Sequence, residues 1–106
     1  MSQHRRLQTR HSVEVAAALE VGGEVIEGQV QNLSLGGAFL AVELPPGPLS
    51  TGTRGRITFK IPTHDEPIAV GASVRWVSDE GLGLQFDGLR AREVWSLTKF
   101  FEQLSS

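Results

Sequence analysis

Three arginines, Arg5, Arg6 and Arg10, fall within the first eleven residues beside His4 and His11, and no acidic residue precedes Glu14. Guanidinium groups are permanently charged forks of N–H donors, and several on one short segment suit an anion. The chain as a whole has no general pull on polyanions, because 10 Lys+Arg against 12 Asp+Glu leave a formal net charge of -2. DNA- and RNA-binding domains are ordinarily plainly basic, so a nucleic-acid partner is not expected. A basic arm on a mildly acidic body points instead to a small anionic ligand or a local anionic contact. A second polar cluster follows in Asn32-Leu33-Ser34-Leu35-Gly36-Gly37. Asn32 carries both a donor and an acceptor, and Ser34 carries a hydroxyl. Two apart in an extended chain, they are expected on one face, with Leu33 and Leu35 anchoring the other in the core. Gly36-Gly37 interrupts the strand pattern, and Gly37, without a Cβ, would let a ligand come close to the backbone.

Other chemistries find little support. The chain has no cysteine, which removes disulfides, thiolate metal sites and thiol nucleophiles. His64-Asp65-Glu66 holds metal-ligating side chains, yet it lies between Pro62 and Pro67 and reads as a polar loop, so no metal is expected. Ser34 is not in a GxSxG elbow and no base is positioned for it by sequence, so no catalytic residue is assigned and the protein is not expected to be an enzyme. No cofactor is expected either. Trp76 reads as an anchor at the end of an apolar strand face, and Trp95 lies off the apolar stripe of a C-terminal helix.

The elements that must position these residues show in the periodicity. At 106 residues the chain has room for one core. Residues 1–11 are polar and aperiodic and form a basic arm, expected to be flexible without ligand. From residue 12 the pattern alternates: Val13, Val15, Ala17, Leu19 and Val21 share a face. Gly22-Gly23 predicts a hairpin into a strand over about 24–32, and another strand is expected over 38–43. Pro45, Pro46, Gly47, Pro48 and Gly52 mark a loop. Ile57, Phe59 and Ile61 define a fourth strand. Ile68, Val70, Ala72, Val74 and Trp76 are expected to share one face of a fifth, and Leu82, Leu84 and Phe86 lie on a sixth. The period then lengthens, and Val94, Leu97, Phe101 and Leu104 form one stripe of an amphipathic helix that needs a partner surface. Short strands with Gly/Pro turns indicate a mainly β architecture, a sandwich or barrel over 12–106 with the helix on an end or side. No apolar run approaches the ~20 residues of a membrane span. Nothing resembles a signal peptide, and a cytoplasmic location is expected.

Arg6-Leu7-Gln8-Thr9-Arg10 fits an RxxxR pattern and Asn32-Leu33-Ser34-Leu35-Gly36-Gly37 fits [D/N]xSxxG, one just before the first strand and the other ending the second. Gly81-Leu82-Gly83-Leu84-Gln85-Phe86 fits GxGxxF. In this order the motifs resemble those of PilZ domains. The resemblance implies an antiparallel six-stranded β-barrel with a C-terminal α-helix. It also implies cyclic di-GMP as ligand, bound through Arg5, Arg6, Arg10, Asn32, Ser34, Gly36 and Gly37. The chemistry is compatible, because guanidinium groups can bond guanine O6/N7 or phosphate oxygens and stack on purines.

The expected role is that of a second-messenger receptor acting in signal transduction through a downstream protein partner, as a monomer or weak dimer. The alternative is a nucleotide-independent adaptor of the same fold that binds proteins in motility or surface processes.

Overall fold

A computed structural model describes residues 10–42 and 50–105 of the chain. Six strands and one helix follow in order: β1 (His11–Val21), β2 (Glu24–Leu33), β3 (Gly37–Ala41), β4 (Arg54–Phe59), β5 (Ile68–Val77), β6 (Gly81–Phe86) and α1 (Ala91–Ser105). β1 begins one residue inside the segment read as the arm. The strands close into an antiparallel barrel in the order β1-β2-β3-β6-β5-β4, so each is paired on both sides. The expected barrel with a C-terminal helix is the observed architecture. The β1–β2 connection is a tight hairpin whose two central residues, Gly22 and Gly23, have φ of 57° and 86°. A side chain disfavours that region, so the Gly-Gly pair fits this turn.

Alternation fills the lumen. Val15, Ala17 and Leu19 of β1 and Ile57 and Phe59 of β4 point inward. Ile68, Val70, Ala72 and Val74 of β5 join Leu82, Leu84 and Phe86 of β6 in the same core. A barrel of this size is just filled by side chains, leaving no room for a ligand inside. The alternation slips at three places. Asn32 lies opposite Phe39 while Val30 lies opposite Leu40, which leaves Gln31 as an extra residue in β2. The slip explains how Val30 and Leu33, three apart, both reach the core. β1 slips between Ser12 and Val15, across from the same Gln31. In β5, Val74 faces Leu84 and Trp76 faces Gly83, so Arg75 is the extra residue. This corrects the reading of β5 as one continuous apolar face. The bulge turns Trp76 out of the lumen, and it is 43% exposed.

The helix caps the barrel end where β1 begins. Leu97, Phe100 and Phe101 are buried in the core. Leu104, expected on the stripe, is exposed, and Phe100 takes its place. Trp95 points to solvent. The Phe101 ring stacks on His11 with centroids 4.0 Å apart and an angle of 12° between planes. Thr63 donates to the Ser96 carbonyl at 2.7 Å, and His64 Nδ1 lies 2.7 Å from Ser96 Oγ, fastening the β4–β5 loop to the helix. His64 therefore serves the helix junction, and no cluster of metal-ligating side chains occurs among the described residues. At the helix start, Glu93 Oε1 accepts from the Arg90 N–H at 2.9 Å, half of a capping box.

Leu97 is fully buried where helix meets barrel. Leu97→Ala is expected to lower unfolding stability by about 2–5 kcal/mol, through lost burial and the cavity left behind. Chemical denaturation monitored by circular dichroism checks it.

Candidate functional site

β2 stops at Leu33 because the next residues satisfy their own backbone. Ser34 N–H donates to the Gly37 carbonyl at 2.9 Å. Ser34 Oγ accepts from the N–H groups of Gly36 and Gly37 at 3.1 and 3.2 Å, the side-chain-to-backbone turn that Ser favours. The expected shared face of Asn32 and Ser34 is therefore split. Asn32 remains in β2, half-buried, opposite Ser12 and Phe39. Ser34 is buried, with its hydroxyl committed to the turn. Leu33 is fully buried and Leu35 packs against the core, as the alternate face requires. The turn is joined to the last strand by Phe86 N–H, which donates to the Gly36 carbonyl at 2.8 Å.

Beside this turn the outer wall of the barrel is hollow. On the neighbouring strands Gly37 pairs with Gln85 and Phe39 with Gly83, while across β6 Trp76 also pairs with Gly83. Glycine leaves the outer wall bare at both positions, but each is required by packing as well. A Cβ on Gly37 would overlap the Leu84 carbonyl oxygen. A Cβ on Gly83 would overlap the indole of Trp76, which lies over it. That indole stacks on Phe39 with centroids 5.3 Å apart and planes at 17°. Phe39 is consequently buried outside the barrel core, beneath an aromatic lid on the outer wall.

The hollow is a cavity of about 560 Å³ lined by Arg10, by Ser34, Gly36 and Gly37 of the turn, and by Arg75, Trp76 and Gln85, with Ala38, Gly83, Leu84 and Phe86 completing it. Ligand cavities for small molecules typically measure about 300–1,000 Å³. Two guanidinium groups and no carboxylate line it among the described residues, so the local field favours an anion although the chain is net acidic. An indole wall, two arginines and a carboxamide can stack a flat ring, pair with phosphate and bond a base edge.

Of the residues expected to bind, Arg10, Ser34, Gly36 and Gly37 come together here, and Asn32 stands in the adjacent β2 ladder without lining the cavity. Arg5 and Arg6 lie outside the described residues. The sequence motifs do not mark Arg75 or Gln85 as site residues, and alternation places Trp76 on the apolar strand face. A signal existed for Gln85, the single polar side chain in Gly81–Phe86. For Arg75 and Trp76 there was none, because the bulge that turns them outward is defined only against the partner strand.

Gly83→Ala is expected to displace the Trp76 indole from its seat. The change should lower stability by about 1–3 kcal/mol, as overpacking does, and shift Trp76 emission. Thermal melts and fluorescence in a Trp95→Phe background, where Trp76 is the sole indole, check both effects.

The fold agrees with that of known proteins. The family model described as PilZ domain matches residues 4–103. The Bacillus subtilis inhibitor of motility, MotI/DgrA, superimposes with a TM-score of 0.70 at 18% identity over 92% of this chain, which spans 52% of that longer protein. The PilZ domain of CeSA from a cellulose synthesizing bacterium superimposes with a TM-score of 0.71 at 17% identity, over 92% of this chain and 99% of that one. At such identities the two structures speak for the fold alone. No curated protein matches the chain. With the family model covering nearly the whole sequence, the chain belongs to the PilZ domain family.

Proposed function

We propose that this domain is a receptor for cyclic di-GMP, held on the outer wall of the barrel, and that it passes its occupancy on to a protein partner. The observation that carries the reading is the carboxylate-free cavity in which Arg10, the last arginine of the RxxxR motif, meets the Ser34–Gly37 turn of the second motif. Cyclic di-GMP presents two phosphodiester anions, two purines and ribose hydroxyls. Arg10 and Arg75 supply charge-assisted donors for phosphate or for guanine O6/N7. Trp76 supplies a flat wall on which a purine can stack. Gly36 and Gly37 leave the turn without side chains on the cavity side. Arg6 and Arg5 precede Arg10 by four and five residues in the sequence and add positive charge to that segment. The role is binding and regulation rather than catalysis. No described helix is long and apolar enough to cross a membrane, and the reading places the domain where the nucleotide is made, in the cytoplasm.

Titration calorimetry with cyclic di-GMP, and with GTP as control, tests the reading. Saturable binding to the dinucleotide alone is expected. Arg10→Ala is expected to weaken it about tenfold or more, the worth of a hydrogen bond to a charged group. Indole emission should change on saturation, and the change should disappear in Trp76→Phe, where only Trp95 remains. No heat with either nucleotide would sink the receptor reading and favour a nucleotide-independent adaptor.

A further inference from the structure

Guanine carries two kinds of edge. O6 and N7 accept hydrogen bonds, whereas N1–H and the N2 amino group donate and need an acceptor. The side chains lining the cavity are rich in donors and poor in acceptors. Arg10 and Arg75 can only donate, and an indole N–H also only donates. The Ser34 hydroxyl oxygen already accepts from two backbone N–H groups. The carbonyls of Gly36 and Gly37 each accept one N–H, from Phe86 and Ser34, and offer a second lone pair only from the main chain of the turn. Asn32, the residue whose carboxamide the motif would offer to a base, does not line the cavity. One side-chain acceptor remains among the described lining residues, Oε1 of Gln85. Gln85 is exposed on the outer wall of β6, opposite Gly37, where no side chain on β3 covers it.

Building on the receptor reading, we infer that Gln85 is the specificity-determining residue of the cavity: its Oε1 accepts from the guanine N2 amino group. The arginines then serve the acceptor atoms of the ligand and Gln85 serves its donors. The carboxamide thereby distinguishes guanine from hypoxanthine, which lacks the amino group, while phosphate affinity is left to Arg10 and Arg75.

The test compares cyclic di-GMP with cyclic di-IMP, its analogue without the N2 amino groups, on the full chain by calorimetry. The wild type is expected to prefer cyclic di-GMP about tenfold, the worth of one such hydrogen bond. In Gln85→Leu the two ligands should bind within about twofold of each other, with cyclic di-GMP weakened to meet the analogue. Gln85→Glu keeps acceptor oxygens at the same place and is expected to keep the preference. Residue 85 is exposed, and a thermal melt identical to wild type shows that each variant is folded. An undiminished preference in Gln85→Leu overturns the inference while the receptor reading stands. Loss of preference in both variants alike also overturns it, since an acceptor would then not be what matters. A wild type that binds neither ligand removes the receptor reading, and this inference goes with it.

Discussion

Closure of the barrel constrains everything else in this domain. With six strands paired in a ring, each strand has a neighbour on both edges and the lumen is only wide enough for the strands' own side chains. A ligand therefore has to be met on the outside, where the alternate residues of the same strands project. An ideal ladder would present a smooth wall there. The extra residue Arg75 breaks that smoothness, rotating Trp76 outward so that its ring settles over Gly83 and against Phe39. The Trp76 indole, seated on Phe39, is one wall of the cavity and the Ser34–Gly37 turn another. Both depend on β3 and β6 being held in register by the closed ring.

Charge acts locally in this architecture. The acidic residues of β1 and β2, among them Glu14, Glu20, Glu24 and Glu27, lie exposed on strands that contribute no carboxylate to the cavity. Arg54 is engaged with Asp87 at 2.6 Å, away from the cavity. Among the described residues, Arg10 and Arg75 set the potential where the hollow opens. The modest overall charge is thus a poor guide to the field at the site.

Much of the fold was legible in the sequence because inward positions repeat every second residue and turns carry Gly and Pro. The hairpin at Gly22-Gly23, the six strands and the terminal helix follow from those signals. Errors fell where a strand gains a residue, since alternation carries no mark of an insertion until the partner strand is in place. Trp76 was assigned to the core for that reason, and the shared face of Asn32 and Ser34 failed because β2 ends between them. On the helix, the choice between Phe100 and Leu104 turned on where the barrel end lies beneath it. The motif residues Arg10, Ser34, Gly36 and Gly37 were found by pattern, whereas Arg75 and Gln85 belong to the cavity only through tertiary register.

Because the lumen and the outer wall draw on alternate residues of the same strands, the two can drift separately through evolution. Arg75 and Gln85 can change in charge or length without disturbing the core, and the lumen away from Ala38, Leu84 and Phe86 can be repacked without touching the cavity. The exceptions are Gly37 and Gly83, where a neighbouring strand's carbonyl and the indole lie too close for any Cβ. At those two positions the requirements of folding and recognition coincide, so descendants that diverge widely in selectivity are expected to keep both glycines.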